Sequence, residues 1–175
     1  REEVHVLRGC YKGIMVGAGT ILADNPQLTA RTEGMIDPVR IIVDGKLSVP
    51  LKAKVFHEEG ENIILTTTAS DEGKRKALSD MGVDIIMTDG EENGSVDLEA
   101  AMTGLALKGI DSILLEGGAT LAASAFDAGI VDKVRIYTAP MIIGGVSAPG
   151  LIGGEGAPTI PKAIRLRDIQ TQMTG

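Results

Sequence analysis

The most informative segment of the sequence is Ile113-Leu114-Leu115-Glu116-Gly117-Gly118-Ala119-Thr120-Leu121. A short apolar run, a carboxylate, two glycines and a helical pattern predict a buried strand, a turn with almost no side chain, and a helix N-terminus. Unpaired backbone N–H groups and the positive end of the helix dipole attract phosphate at such a terminus. Gly117 and Gly118 would let a pyrophosphate approach the backbone closely. By itself the pattern is equally typical of a tight strand–helix connection.

Segments typical of strands and of helices alternate along the whole chain, with no long linker or repeat. The strand segments are short, rich in Ile and Val and mostly apolar on both faces, as buried parallel strands are. We expect strands at Gly13–Gly17, Val39–Asp44, Asn62–Thr66, Val83–Thr88, Ser112–Leu115, Val134–Ala139 and Ala163–Ile169. We expect helices at Arg1–Tyr11, Asp71–Met81, Leu98–Lys108 and Ala119–Ala128, and a short helical pattern after Gly17.

Residues suited to helix ends flank three of these helices. Ser70 is the predicted N-cap of the Asp71–Met81 helix, and Asp97 is that of the next, because a short side-chain oxygen accepts from the free N–H groups of the first turn. Glycines stand where the C′ residue of a helix adopts a left-handed backbone, at Gly82, Gly109 and Gly129.

The alternation predicts an α/β fold, in which right-handed βαβ units build a mainly parallel central sheet with helices on both faces. The helical patterns stop after Val131, so residues 131–175 predict antiparallel strands that close one edge of the sheet. Ligands of open α/β sheets bind at the carboxyl ends of the strands. That rule selects the rim of one cleft from four loops, at Gly17–Asp24, Asp44–Leu47, Thr66–Thr68 and Glu116–Thr120.

Length and composition predict a single domain over residues 1–175. The first residues already follow a helical pattern without an initiator Met, and the last follow a strand-like run, so we expect a further element at each end. No apolar run approaches the ~20 residues that span a bilayer, and no signal-peptide pattern is present. The single Cys10 and two distant histidines predict neither a disulfide nor a metal site, which makes a cytoplasmic protein the expectation.

Charge and chemistry narrow the function further. A formal net charge of -7 argues against a nucleic-acid partner, which would need a basic face. The chain has no Trp, two Tyr and two Phe, so it also lacks platforms for stacked bases. No Ser-His-Asp or Cys-His arrangement and no pair of carboxylates stand out. Glycine-rich loops without an evident nucleophile indicate hydride transfer, in which a cofactor supplies the chemistry.

A second glycine cluster, Val16-Gly17-Ala18-Gly19-Thr20, also follows a strand and runs into a short helical pattern that Asn25-Pro26 ends. Thr20 presents a hydroxyl in the first turn, and Asp24 lies one turn further along the same face, where both could touch a cofactor's ribose or nicotinamide amide. The alternative is helix capping by Thr20 and an Asx-turn at Asp24-Asn25-Pro26. The cluster is neither a Walker loop nor the Rossmann fingerprint, so a phosphotransferase is not expected.

Charged residues near the predicted rim each have two interpretations. Asp44-Gly45-Lys46-Leu47 is a strong turn signal, and it also places Lys46 where a cation can meet phosphate. Arg8 and Arg31 are candidate anion partners or solvated surface residues. Glu116 can accept hydrogen bonds from ligand hydroxyls or amines, or cap the helix that follows it.

Four blocks together resemble the pyrimidine reductases of riboflavin biosynthesis. The long first block is Gly13-Ile14-Met15-Val16-Gly17-Ala18-Gly19-Thr20-Ile21-Leu22-Ala23-Asp24-Asn25-Pro26-Gln27-Leu28-Thr29. The others are Pro38-Val39-Arg40-Ile41-Ile42-Val43-Asp44, Leu114-Leu115-Glu116-Gly117-Gly118 and Ala139-Pro140-Met141-Ile142-Ile143-Gly144-Gly145. They occur in the family's order through nearly the whole chain.

The resemblance implies a dihydrofolate-reductase-like fold, a homodimer, and NADPH as hydride donor, with NADH as the alternative. The implied reaction reduces a ribosylamino-pyrimidinone 5′-phosphate to its ribitylamino form. Implied cofactor contacts are Thr20, Asp24, Asp44, Gly45, Lys46, Leu47, Gly117, Gly118, Ala119 and Thr120, with Thr66–Thr68 near the adenosine end. Implied substrate contacts are Arg8, Leu28, Arg31 and Glu116, with the arginines near the phosphate.

Two subfamilies differ in substrate. The chain has no deaminase motif and resembles the archaeal type, which stands alone and reduces the diaminopyrimidinone. The alternatives are the bacterial type, whose reductase domain follows a zinc deaminase and reduces the deaminated pyrimidinone, a pteridine-type reductase, and a non-catalytic nucleotide-binding module. The family's Asp-Gly-Lys segment, which borders the reaction centre, is expected before Arg1, so no catalytic residue is named.

Overall fold

A computed structural model describes residues 2–90, 94–145, 148 and 150–173, and the side chain of Glu2 lies outside this description. The helices in this part are α1 (Glu2–Cys10), α2 (Ala18–Asp24), α3 (Glu72–Asp80), α4 (Leu98–Leu107) and α5 (Ala119–Asp127). The strands are β1 (Gly13–Gly17), β2 (Val39–Val43), β3 (Asn62–Thr67), β4 (Asp84–Thr88) and β5 (Ile113–Leu115). Short 3-10 turns lie at Lys54–Phe56 and Ile160–Lys162.

The five strands form one parallel sheet in the order β4-β3-β2-β1-β5. From β1 the chain adds β2, β3 and β4 on one side and then crosses to place β5 on the other side of β1. Gly13 is therefore opposite Val39 of β2 and opposite Ile113 of β5. The order of the strands reverses between β1 and β5, and such a switch point is where open α/β sheets open a crevice for ligands.

The sheet is covered on both faces, as the sequence predicts. Ile21 of α2 and Leu78 of α3 belong to one apolar cluster with residues such as Ile42. Leu105 of α4 and Leu121 of α5 belong to the second cluster, on the other face. Strands that are apolar on both faces need helices on both faces, since each buried side chain gains roughly 1.5–3 kcal/mol on leaving water.

Most of the predicted helix ends are confirmed. Asp97 caps α4, because its side chain accepts from the N–H of Ala100 at 3.0 Å. Gly82, Gly109 and Gly129 have φ angles of 81°, 81° and 65°, the left-handed backbone of a C′ residue.

The N-cap predicted for α3 is wrong by one residue. Asp71 is the cap, and its carboxylate accepts from the N–H of Lys74 at 2.6 Å. The Ser70 hydroxyl donates instead to the carbonyl of Thr67 at 2.7 Å. Ser70 is buried against the end of β3, so its hydroxyl has a partner in the strand before the helix begins.

The antiparallel C-terminal edge is also wrong for the described part of the chain. Val134–Ala139 and Ala163–Ile169 form no strand there. A β-prone segment becomes a strand only when a neighbouring backbone pairs with it, and among the described residues no backbone pairs with either segment. Apolar side chains of the tail gather instead beside Phe126 of α5, around a cavity of about 120 Å³. They are Val134, Ile136, Leu151, Ile152, Ile164 and Leu166.

Arg40 of β2 is the one arginine in the described core. It is 1% exposed, and its Nη2 donates to the carbonyls of Glu58 at 3.1 Å and Glu59 at 2.8 Å. Burial lowers the pKa of this guanidinium, and the nearby Asp37 and Glu58 raise it in part. Arg40 lies near the amino end of β2, at the end of the sheet opposite the strand termini that carry the predicted site.

Candidate active site at the β1–β5 switch point

The two glycine-rich loops meet in space. Gly17 ends β1 and leads into α2, whereas Gly117 and Gly118 connect β5 to α5. A Cβ atom placed on Gly117 would lie 3.4 Å from the Thr20 hydroxyl oxygen, and one on Gly118 would lie 3.6 Å from it. Residues about 100 positions apart thus lie side by side at the carboxyl ends of β1 and β5, as the rule for strand ends predicts.

The Gly117–Gly118 turn requires glycine for its backbone. The φ angles are 71° and 84°, a region that costs other L-residues about 1–2 kcal/mol. Gly118 is the N-cap of α5, so no side chain closes the first turn of that helix. Both glycines and Thr120 are exposed, and Ala119 is half-buried. The alternative role of Glu116 as the cap of α5 is therefore wrong.

The C-terminal tail reaches the same helix terminus, a contact that local sequence patterns do not predict. The N–H of Gly153 donates to the carbonyl of Ala119 at 2.9 Å. A Cβ on Gly153 would come within 3.3 Å of the Thr120 nitrogen. A side chain at position 153 would force the neighbouring backbone of α5 to shift by a few tenths of an ångström.

Arg8 and Glu116 form a two-pronged ion pair. Nε of Arg8 donates to Oε1 of Glu116 at 2.9 Å, and Nη2 donates to Oε2 at 2.6 Å. The side chains are 15% and 21% exposed. The Glu116 backbone is fixed as well, because its N–H donates to the carbonyl of Met15 at 2.9 Å and so continues the pairing of β5 with β1. Two predicted substrate residues are thus brought together, and each neutralises the other.

Arg31 lies at the end of the loop after α2, and its guanidinium is exposed. Its Nη2 donates to Oε1 of Gln27 at 2.7 Å, and its Nε donates to the Thr29 hydroxyl at 3.2 Å. The carbonyl of Thr29 also accepts from Nη1 of Arg8 at 3.1 Å. Thr29 therefore contacts both predicted substrate arginines. Sequence reasoning missed Gln27 and Thr29, because neither residue type carries a binding signal of its own.

Leu28 lies between these residues but points into the core. It is 2% exposed and has a φ of 61°. This burial leaves the Leu28 side chain no surface for direct contact with a ligand. Leu28 instead anchors the loop by packing into the apolar core.

The Asp44–Leu47 segment is the turn that the sequence indicates. Asp44 is 3% exposed, and its carboxylate accepts from the N–H groups of Ser48 at 2.8 Å and Val49 at 2.7 Å. Leu47 is 3% exposed, and its carbonyl accepts from Lys74. The side chains of Asp44 and Leu47 are therefore committed to the protein, whereas Lys46 is exposed.

The neighbouring Thr66–Thr68 segment supports the same turn. The hydroxyls of Thr66 and Thr67 both donate to the carbonyl of Gly45, at 3.2 Å and 2.9 Å. Thr66 and Thr67 are buried, so Thr68 is the exposed member of the segment. At the other end of the cleft Thr20 is half-buried and Asp24 is exposed.

Two absences concern the described residues alone. Within residues 2–90, 94–145, 148 and 150–173, no cluster of three or more His, Cys, Asp and Glu side chains is arranged to hold a metal ion. In the same part of the chain, every helix is too short or too polar to cross a bilayer.

The chain belongs to the RibD C-terminal domain family, which matches residues 1–175. The riboflavin biosynthesis protein RibD of Actinobacillus pleuropneumoniae is 38% identical over 176 residues, which cover 100% of this chain and 46% of that protein. The 2,5-diamino-6-ribosylamino-4(3H)-pyrimidinone 5′-phosphate reductase of Aquifex aeolicus is 35% identical over 167 residues, covering 95% of this chain and 73% of that enzyme. The chain thus spans about half the length of the RibD relatives it matches.

A solved structure of RibD from Acinetobacter baumannii is similar over 95% of this chain and 45% of its own, with a TM-score of 0.76 and 24% identity. This likeness concerns the fold, and it confirms the dihydrofolate-reductase-like architecture that the sequence resemblance implies.

Proposed function

We propose that this chain reduces the ribose of 2,5-diamino-6-ribosylamino-4(3H)-pyrimidinone 5′-phosphate, with NADPH as hydride donor. The observation that carries this proposal is the meeting of the two glycine loops at the β1–β5 switch point, beside the Arg8–Glu116 pair. The Aquifex aeolicus relative, which carries the name of this activity, aligns over 95% of the chain and supports the choice of substrate.

The crevice fits a dinucleotide at the turn before α5. Gly117 and Gly118 have no side chains to block a pyrophosphate, and no side chain caps the helix terminus behind them. Thr20 supplies a hydroxyl next to this turn, and Lys46 supplies an exposed cation on the neighbouring rim. Backbone N–H groups and a helix dipole at such a terminus stabilise phosphate oxygens. A nicotinamide bound there would supply the hydride.

The two arginines then divide the work at the substrate. Arg8 holds the Glu116 carboxylate with two hydrogen bonds, and each carboxylate oxygen keeps a lone pair for ligand hydroxyls or amines. Arg31 has no carboxylate partner within the described residues, so its charge is available to the 5′-phosphate. Glu116 orients the substrate and Arg31 attracts it. The homodimer implied by the resemblance is part of this proposal, and light scattering at several concentrations checks it.

The direct test is NADPH oxidation, followed by the loss of the absorbance of the reduced nicotinamide. We expect turnover with the diaminopyrimidinone ribosyl phosphate and slower turnover with its deaminated form. Turnover with the deaminated form alone would assign the bacterial-type substrate. Binding of NADPH without turnover of either substrate would contradict the proposed reaction.

A matched pair of glycine variants tests the cofactor site. Gly118 and Gly109 have φ angles of 84° and 81°, so Gly118→Ala and Gly109→Ala should each lose about 1–2 kcal/mol of unfolding free energy. Gly109 follows α4, away from the crevice. We expect Gly118→Ala alone to weaken NADPH binding, by roughly tenfold or 1.4 kcal/mol. Equal NADPH affinities in the two variants would contradict the placement of the pyrophosphate.

A further inference from the structure

We propose that Gln27 and Thr29 are positioning residues that hold Arg31 as an uncompensated cation for the phosphate of the substrate. The proposal rests on the proposed function, since it concerns how that site distinguishes a phosphorylated substrate from one without phosphate. Neither residue needs to touch the ligand, because both act through the guanidinium of Arg31.

The hydrogen bonds occupy one edge of that guanidinium. Thr29 accepts from Nε at 3.2 Å and Gln27 accepts from Nη2 at 2.7 Å, and these two nitrogens lie on the same side of the planar group. Nη1 and the second proton of Nη2 have no partner in the part of the chain that the structure describes. Such a pair of parallel donors matches two oxygens of a phosphate. The side chain is therefore fixed along one edge and open at its end.

Both acceptors are neutral, which preserves the charge of Arg31. An amide or hydroxyl oxygen fixes the guanidinium without cancelling its field, whereas a carboxylate would do both. Arg8 shows the second case, because Glu116 accepts from it at 2.9 Å and 2.6 Å with a full negative charge. The nearest carboxylate in the Arg31 network is that of Glu58, one hydrogen bond further away, beyond Gln27.

Glu58 also determines which way the Gln27 amide faces. Nε2 of Gln27 donates to Oε1 of Glu58 at 2.6 Å. A carboxylate can only accept, so the NH₂ group must face Glu58 and the amide oxygen is turned towards Arg31. The chain of contacts Glu58–Gln27–Arg31 therefore has a single direction, and it anchors the loop to the segment before β3.

The backbone of the loop is held in an uncommon conformation. Asn25, Leu28 and Arg31 have φ angles of 42°, 61° and 55°, so left-handed residues recur every third position. Two contacts from outside fix the loop: Asn25 accepts from the N–H of Lys54 at 2.9 Å, and Asp37 accepts from the N–H of Ala30 at 2.7 Å. Backbone strain of this kind persists where the surroundings impose it, and it concentrates at functional sites.

The first test removes the acceptor at Thr29. Thr29→Val keeps the shape and the backbone carbonyl that Arg8 uses, but it loses the hydroxyl. We expect the KM for the phosphorylated substrate to rise about two- to tenfold, the effect of one modest hydrogen bond, while kcat and the KM for NADPH stay unchanged. Thr29→Ser should restore the original value. A substrate without the 5′-phosphate should show no difference between Thr29→Val and the unaltered chain, and an equal rise with both substrates would overturn the proposal.

The second test moves one charge without breaking the network. In the double variant Gln27→Glu with Glu58→Gln, a glutamate–glutamine hydrogen bond persists in reverse, and the net charge is the same. Arg31 now faces a carboxylate, so we expect the KM for the phosphorylated substrate to rise by about tenfold, as for a lost charge-assisted contact. Glu58 also lies near the buried Arg40 guanidinium, so the single variant Glu58→Gln is the control, and we expect it to show the same unfolding midpoint as the double variant. An unchanged KM in the double variant would overturn the proposal, because a purely structural role for Gln27 predicts that result.

A binding measurement separates this inference from the proposed function. If the unaltered chain turns over neither pyrimidine substrate, the proposed function fails. Titration with ribose 5-phosphate and with ribose still decides the positioning role. We expect the unaltered chain to bind the phosphate ester more tightly than ribose, and we expect this preference to be about two- to tenfold smaller in Thr29→Val. The same preference in both proteins, or in neither, would overturn the inference.

Discussion

Arg8 and Arg31 both donate a hydrogen bond to Thr29, but their other partners differ in charge. Arg8 is half-buried and has the Glu116 carboxylate along one edge, so its charge is neutralised within the protein. Arg31 is exposed and has neutral acceptors along one edge, so its charge is directed outwards. The difference lies in the acceptor, because an arginine keeps its charge at every relevant pH. Whether an arginine stabilises a protein or binds an anion is thus decided by its neighbours.

The difference between the two arginines also bears on the roles proposed for Glu116 and Arg31. The role proposed for Glu116, which is to orient a neutral sugar, needs a carboxylate in a fixed position, and the two hydrogen bonds from Arg8 fix it. The role proposed for Arg31, which is to attract a phosphate, needs a guanidinium that is held in place without being neutralised. Four experiments test this difference between the two arginines.

The largest effect should follow from breaking the Arg8–Glu116 pair. Glu116→Ala leaves the Arg8 guanidinium without its partner at 15% exposure, so we expect the unfolding free energy to fall by about 2–3 kcal/mol in a urea titration. The matched control is Asp80→Asn, which breaks the exposed Lys76–Asp80 pair and should cost less than about 0.5 kcal/mol. Equal losses in the two variants would show that the Arg8–Glu116 pair is as weak as a surface pair.

Removing Arg31 should affect the substrate rather than the fold. In Arg31→Ala we expect the KM for the phosphorylated substrate to rise by roughly 10- to 100-fold, which corresponds to about 1.5–3 kcal/mol for a hydrogen-bonded charge. The unfolding midpoint should hardly move, since the side chain is exposed. If the KM changes by less than twofold, which corresponds to about 0.4 kcal/mol, Arg31 does not bind the phosphate.

The backbone conformation of Arg31 should have a smaller effect, and this effect is on stability: replacement by glycine should raise the unfolding free energy relative to replacement by alanine. Arg31→Gly relieves the left-handed φ of 55°, whereas Arg31→Ala keeps it. We expect the glycine variant to be more stable than the alanine variant by about 1 kcal/mol, with the same KM. Chemical denaturation of the two variants side by side measures this difference. Should the alanine variant be the more stable, the loop would carry no strain at this position.

The smallest expected effect is that of salt, which should weaken the interactions of Arg31 more than those of Arg8. Exposed charges are screened within about 8–10 Å at ionic strengths near 0.1 M, and partly buried pairs are screened less. Between low and moderate salt we expect the KM for the phosphorylated substrate to rise about two- to threefold. The coupling energy of Arg8 and Glu116, from a double-mutant cycle, should change little over the same range. A KM independent of salt would argue that the phosphate meets no exposed cation.

Local patterns predicted most of the sheet and its helices. The five strands β1 to β5 all lie where Ile- and Val-rich runs end in turn residues, and α4 begins after the Asp97 cap. The strand-end rule then placed the two glycine loops together, because parallel strands present their carboxyl ends on one edge. The Asp-Gly signal at Asp44 likewise gave the turn that the structure has.

Contacts between distant residues were beyond that reasoning. Arg8 and Glu116 are 108 positions apart, and nothing in either local sequence pairs them. The tail from Val134 to Ile169 has strand-forming residues, yet its described part forms no strand, and several of its apolar side chains line a pocket beside Phe126 of α5. Strand formation at an edge depends on which backbone is near, and sequence pattern does not contain that information.

The amino-acid sequence by itself determined the alternation of elements, the parallel sheet and the position of the glycine turns, because periodicity, caps and turn preferences act over a few residues. The tertiary structure is needed to show which arginine is neutralised by a carboxylate and which has only neutral partners. Arg8 met Glu116 and Arg31 met Gln27 and Thr29 through the packing of α1, the α2 loop and β5 around one crevice. The free energy of a charge depends on its surroundings within about 4–6 Å, and folding alone assembles those surroundings.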